Sequence, residues 1–216
     1  MKQIKLLLVD DHAVVRAGYR QLISTTNDIT IIGESSTAED ACQKYIELKP
    51  NVVVMDLSLP SMTGLEAIRR MTLYDDSVAI LAFSIHNEAV YVQRAIEAGA
   101  KGYLTKSCEP VILIKAIYAL AEGKTYIEKD LQTNISSKST KEASTEKNKS
   151  ASKLSPREFD VFCLLAEGKS CKEIAGLLFL SEKTVSNYAT QIKIKLKART
   201  LSELTRIAYQ EGIISV

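Results

Sequence analysis

Between residues 4 and 122, short and nearly continuous apolar runs alternate with segments whose apolar residues recur every three or four positions. Runs of the first kind suit strands buried on both faces of a parallel sheet. The pattern predicts five of them, at Ile4–Asp10, Ile29–Glu34, Val52–Leu57, Val78–Phe83 and Gly102–Lys106. Helical periodicity marks Ala13–Ser24, Ala38–Leu48 and Ala89–Ala98 between them. Pro110 suits the first turn of a last helix running to Glu122, which Gly123 can stop. Strands alternating with helices predict an α/β fold, a doubly wound five-stranded parallel sheet.

From Gln132 to Lys153 the pattern vanishes. The residues are almost all Ser, Thr, Lys, Glu, Asn and Ala, with Ile135 as the single large apolar side chain. Such a stretch buries too little to offset its ordering entropy, so a flexible linker over 129–152 is expected. Beyond it everything reads as helix. Ser155-Pro156-Arg157-Glu158 joins a capping box to proline at the first helical position, and that helix should end at Gly168. Ser170-Cys171-Lys172-Glu173 repeats the cap and opens Ile174–Phe179. Ser181 starts a third helix reaching Lys197, and Ser202–Glu211 forms a fourth, closed by Gly212. Two short helices across a tight turn, the second longer and basic, match a helix-turn-helix. The expected division is an α/β domain over 1–128, the linker, and a small all-α domain over 153–216.

Composition adds bounds. The 216 residues suffice for two domains, and 46% apolar with 25% charged residues is ordinary for a soluble globular protein. The apolar start, Met1 to Val9, is too short for a signal peptide and runs into Asp10-Asp11. No apolar run approaches membrane-spanning length. Cys42, Cys108, Cys163 and Cys171 have neither paired ligand spacing nor the density of a disulfide scaffold. A cytoplasmic protein is expected. Acidic residues predominate in 1–128 and basic ones in 153–216, within a net charge of +2. A nucleic-acid partner would therefore meet the C-terminal part.

Chemistry gathers at one edge of the predicted sheet. Asp10-Asp11 ends the first strand, Asp56 the third and Lys106 the fifth, and such sheets bind ligands at their carboxyl edge. Carboxylates collected there repel one another unless a hard divalent cation such as Mg²⁺ sits among them. Asp56 could then attack a phosphorus atom to form an aspartyl phosphate. Lys106 would balance one phosphoryl oxygen as a point charge, and Ser84, at the end of the fourth strand, could hydrogen-bond another. Taken singly, a strand-terminal Asp is usually a turn former and Asp-Asp an N-cap. An aspartate-nucleophile phosphatase would want Asp-x-Asp after its first strand, and a dinucleotide site would want Gly-x-Gly-x-x-Gly. Neither is present. His12 and His86 are too far apart and too poorly accompanied to suggest a metal site.

Leu7-Leu8-Val9-Asp10-Asp11-His12, Met55-Asp56-Leu57-Ser58-Leu59-Pro60, Ser84 and Tyr103-Leu104-Thr105-Lys106 resemble, in order and spacing, the receiver domain of two-component response regulators. The likeness implies a flavodoxin-like receiver whose Asp56 takes phosphate from a sensor histidine kinase. It implies that Asp11, Asp56 and the backbone carbonyl of Ser58 hold Mg²⁺, with Asp10 acting mostly through water. Ser84 and Tyr103 would be the switch pair. Leu154-Ser155-Pro156-Arg157-Glu158, Ala166-Glu167-Gly168-Lys169-Ser170, Lys172-Glu173-Ile174-Ala175 and Leu180-Ser181-Glu182-Lys183-Thr184-Val185 resemble the LuxR-type DNA-binding domain. Together the two look like a NarL/FixJ-type response regulator. That family implies a transcription factor, not an enzyme in the ordinary sense, that binds double-stranded DNA and dimerises on activation.

Side-chain chemistry in the third C-terminal helix agrees. Val185, Ile192 and Leu196 share one face, leaving Lys183, Ser186, Asn187, Thr190 and Lys193 outward, with Thr184 beside them at the helix start. Asn187 can make two hydrogen bonds to adenine, whereas lysines suit phosphates, which position without specifying. Lys195 and Lys197 read equally as phosphate contacts or as a solvated face. Cys171 opens a helix beside Lys172, a setting that can make a thiol redox-sensitive. Phe159 and Cys163, four apart, read as surface apolar residues or as a contact patch. Tyr188 stands where relatives often carry histidine. Two rival readings are a basic domain that binds protein or RNA, and a regulator whose receiver is never phosphorylated.

Overall fold

The computed structural model describes residues 3–128, 131, 150–178 and 180–214, and the chain divides into two compact units. The first runs β1 (Ile4–Val9), α1 (Ala13–Ile23), β2 (Ile29–Ser35), α2 (Ala38–Leu48), β3 (Val52–Asp56) and α3 (Gly64–Tyr74). It continues with β4 (Ile80–Ser84), α4 (Ala89–Ala98), β5 (Gly102–Thr105), α5 (Pro110–Ala121) and β6 (Tyr126–Ile127). The strands form one sheet in the order β2-β1-β3-β4-β5-β6, with every pairing parallel. Order reverses at β1, so a crevice opens between the carboxyl ends of β1 and β3.

Every residue of β3 is buried, as its unbroken apolar run demands. Leu6, Leu8, Val54, Leu81, Phe83 and Leu104 form one face of the sheet and pack with Ile23 of α1 and Leu113, Ile117 and Leu120 of α5. Thr37 and Thr63 start α2 and α3 by accepting the Asp40 and Glu66 amides, which satisfies orphan donors of the first turn. The sixth strand was not legible as a strand. Two residues carry no period, and β6 exists because α5 returns the chain to the open edge of β5.

The second unit contains a 3-10 turn (Ser150–Lys153), α6 (Pro156–Ala166), α7 (Cys171–Leu178), α8 (Glu182–Leu196) and α9 (Leu201–Gln210). Ser155 and Glu158 make the expected reciprocal capping box. Residues 150–152, assigned by sequence to the linker, belong to the 3-10 turn, where Ala151 is buried and donates its amide to the Glu211 carboxylate at 3.2 Å. Leu131, also assigned to the linker, is buried, its amide donating to the Glu128 carbonyl at 3.0 Å; 129–130 and 132–149, like Phe179, lie outside the described residues.

Phe159 and Cys163 are not surface residues. They are 0% and 4% exposed, because α6 is packed by α7, α8 and α9 and keeps few open faces. Among the described residues, no helix is long and apolar enough to cross a membrane.

Candidate functional site

Parallel register builds the first site. Val9 pairs with Met55, so Asp10 and Asp56 leave adjacent strand ends side by side. Ser84 pairs with Thr105, which places Lys106 one residue past the edge of the same crevice. Asp56 is 1% exposed, and its Oδ1 accepts the Ser58 amide at 2.9 Å. Its Oδ2 lies 2.7 Å from Lys106 Nζ, and Asp10 Oδ2 lies at the same distance from that ammonium. Asp10 Oδ1 accepts the His12 amide at 2.8 Å. One cation thus stands between two buried carboxylates.

The charge balance is unequal. Burial pushes the Asp56 carboxyl above its ordinary pKa, Lys106 pulls it back, and Asp10 adds a further push upward. Burial opposes the charge on Lys106, but Asp56 and Asp10 outweigh it and hold the ammonium above the usual lysine value. Negative charge is therefore in excess. Asp10 Oδ2 and Asp11 Oδ1 are both buried, the first against the Lys106 ammonium and the second against His12 Nδ1, each at 2.7 Å. Ligand atoms of Asp10, Asp11, His12 and Asp56 all lie within 4.8 Å of one another, a group that could hold a metal ion. Three carboxylates gathered around one ammonium, in a mainly carboxylate donor set, fit a hard divalent cation.

His12 is where the sequence expectation needs correction. Far from being poorly accompanied, its Nδ1 lies 2.7 Å from Asp11 Oδ1. Its signal was present in the chain, since it directly follows the two aspartates. His86 lies elsewhere, its ring stacked on Tyr91 at 3.9 Å. Ser58 is exposed, beside Asp56 at the mouth of the crevice. Ser84 is fully buried, and its Oγ accepts the His86 amide at 3.2 Å. Tyr103 is also fully buried, its ring turned inward and its hydroxyl donating to the His86 carbonyl at 2.9 Å. Both members of the expected switch pair therefore meet at the loop after β4.

The second site is α8. Val185 and Ile192 are fully buried and Leu196 nearly so, while Lys183, Ser186, Asn187 and Thr190 are exposed. Thr184 and Lys193 are half-buried. The Thr184 hydroxyl lies 2.8 Å from that of the capping Ser181, and the Thr190 hydroxyl donates to the Ser186 carbonyl at 3.0 Å. Lys195 turns away from this face to meet Glu158 of α6 at 2.6 Å. Lys197 is exposed and ends the helix in the left-handed region, at φ 55°. Cys171 is half-buried at the start of α7, and Tyr188 is half-buried within α8.

Comparison with known proteins accounts for both sites. Residues 6–118 match the family model of the response regulator receiver domain, and 152–208 match that of the bacterial regulatory proteins of the luxR family. The transcriptional activator protein ExaE of Pseudomonas putida is 34% identical over 211 residues, 98% of each chain. The nitrate/nitrite response regulator protein NarL of Escherichia coli is 35% identical over 209 residues, 96% of each. A two-component response regulator of the LuxR family from an Aurantimonas species superposes with a TM-score of 0.63 at 37% identity, covering 64% of this chain and 99% of that one. The RcsB response regulator of Salmonella typhimurium shares the fold at 23% identity, with a TM-score of 0.68 over 98% of this chain and 100% of its own. Receiver and LuxR-type domains in this order, with kinship along the whole length, make the chain a member of the NarL/FixJ-type two-component response regulators, transcription regulators rather than enzymes.

Proposed function

We propose that Asp56 accepts a phosphoryl group from a sensor histidine kinase and that its phosphorylation controls DNA binding by α8. The observation that carries this reading is the Lys106 ammonium shared by Asp56 and Asp10, with Asp11 in the same acidic group. In the transfer, a carboxylate oxygen of Asp56 forms a bond to phosphorus as the bond from phosphorus to the donor imidazole breaks, and the donor nitrogen leaves with the electron pair. Asp11, Asp56 and the Ser58 carbonyl would hold Mg²⁺, with Asp10 contributing through water. The cation supplies charge neutralisation for the phosphoryl oxygens. Lys106 stabilises one such oxygen once it is released from Asp56, and Ser84 turns its hydroxyl from the His86 amide toward another. Tyr103, hydrogen-bonded to the same loop, reports that movement on the outer surface.

Lys183, Thr184, Ser186, Asn187, Thr190 and Lys193 form the DNA-facing surface of α8. Asn187 reads base edges and the lysines meet phosphates. Activation favours a homodimer, so the operator carries half-sites spaced by about 10 bp or a multiple of it. Such a regulator works in the cytoplasm.

Two measurements test the reading. Acetyl phosphate with Mg²⁺ labels the wild type and not Asp56→Asn; equal labelling removes Asp56 from its role. Gel shifts against genomic fragments, with and without the phosphodonor, show salt-sensitive binding that phosphorylation changes. Absence of DNA binding in both states favours a protein or RNA partner for the basic domain.

A further inference from the structure

Glu128 lies past the residues that match the receiver family, yet it is bound to the strand that delivers Lys106. Tyr126 and Ile127 pair with Gly102 and Tyr103, and the Glu128 amide donates to the Tyr103 carbonyl at 3.2 Å. There β6 ends. Successive amides along a strand point to opposite neighbours, so Lys106 N turns toward β4, where it meets the Ser84 carbonyl at 2.7 Å. Thr105 N turns to the other side, where among the described residues no strand remains to receive it. The Glu128 side chain takes that place, its Oε2 accepting the Thr105 amide at 2.9 Å and the Thr105 hydroxyl at 2.8 Å.

Thr105 is only 6% exposed, so both donors would be costly to leave unmade. It also anchors the loop after β5. Ser107 donates its hydroxyl to that of Thr105 at 3.0 Å, and the Cys108 amide donates to the Thr105 carbonyl at 3.1 Å.

We propose that Glu128 is a positioning residue for the phosphoacceptor site: by holding Thr105 it sets where the Lys106 stem begins and so how its ammonium meets Asp56. Lys106 follows Thr105 directly, and its side chain must span from that anchor to a carboxylate 50 residues earlier in the chain. Loss of the carboxylate frees the anchor, and a misplaced point charge stabilises a phosphoryl group poorly. The inference rests on the phosphoacceptor reading of Asp56.

The test uses the full chain, acetyl phosphate and Mg²⁺, with urea unfolding measured in parallel. Glu128→Ala, which removes both charge-assisted bonds at the anchor, is expected to slow labelling of Asp56 by about tenfold. Glu128→Gln, whose amide oxygen still accepts from Thr105, stays close to the wild-type rate. In a Lys106→Ala background, Glu128→Ala adds nothing further, which a residue acting only on stability would not show. Thr105→Val, which keeps the amide and loses the hydroxyl, carries the same comparison should Glu128→Ala not fold. Wild-type labelling rates in Glu128→Ala, or an equal loss in the Lys106→Ala background, overturn the inference alone. An unlabelled wild type overturns the phosphoacceptor reading and this inference with it.

Discussion

Gly64 lies so close to Asp56 that a Cβ at Gly64 would stand 2.0 Å from the Asp56 carbonyl oxygen and 2.7 Å from the α-carbon of Leu57. The neighbour is backbone, which cannot swing aside as a flexible side chain would. Gly64 opens α3 behind the Thr63 cap, and its amide donates to the Leu57 carbonyl at 3.1 Å. The bare glycine therefore lets α3 start directly against the turn that follows Asp56. Gly64→Ala is expected to cost more than about 3 kcal/mol, at the severe end for a single substitution. Chemical denaturation checks the stability, and acetyl phosphate labelling checks the displaced Asp56.

Burial holds the Asp56 carboxyl above its ordinary range although Lys106 pulls it back, and Asp10 adds to the rise. A group whose folded pKa is raised opposes folding when ionised. The penalty is absent below the unfolded value, about 3.9, and complete above the folded one. Asp56→Asn should therefore raise the melting temperature at pH 7 in the absence of divalent cations, by about 2–6 °C, with the gain vanishing near pH 3. Added Mg²⁺ should stabilise the wild type and do so far less in Asp11→Asn. Scanning calorimetry of the three proteins, with and without Mg²⁺, reads both effects.

Lys195 spends its charge inside the second unit. Burial opposes ionisation of Glu158, but Lys195 at 2.6 Å and the Ser155 cap outweigh it, so its carboxyl lies below the usual glutamate value. A depressed folded pKa gives stability that is present above the unfolded value, about 4.3, and lost as pH falls through the folded one. Glu158→Gln should cost about 1–2 kcal/mol at pH 7 and little at pH 3. Thermal unfolding across that range is the check. Lys195→Ala, by contrast, should leave the salt dependence of DNA binding unchanged.

On the exposed face of α8, Asn187→Ala should reduce discrimination at one base pair by about 1–3 kcal/mol. Lys183→Ala should weaken binding evenly across sequences and lower the salt slope by about 1. Competitive gel shifts at several salt concentrations separate the two behaviours.

Much of the first unit was legible because local pattern and tertiary demand agree. Ala38–Leu48 and Ala89–Ala98 appear with the boundaries that periodicity assigns them. Strand ends moved by one or two residues, as at Ile80–Ser84, because pairing with a neighbour and not apolar character decides where a strand begins. Phe159 and Cys163 misled for a related reason. Periodicity says which residues share a face of α6, but only the placement of α7, α8 and α9 decides which faces are covered.

By itself the order of residues determined the strand–helix alternation, the caps at Ser155, Ser170 and Ser181, and the chemistry waiting at residues 10, 11, 56 and 106. These are local properties, written in period, turn type and side-chain identity. Only the tertiary structure decided that Lys106 stands between Asp10 and Asp56, that His12 joins the acidic group, that Lys195 belongs to Glu158, and that Glu128 completes β5. Each of those pairings depends on sheet order, strand register or helix packing. Such quantities are set by the burial of distant segments together, and no short stretch of sequence carries them.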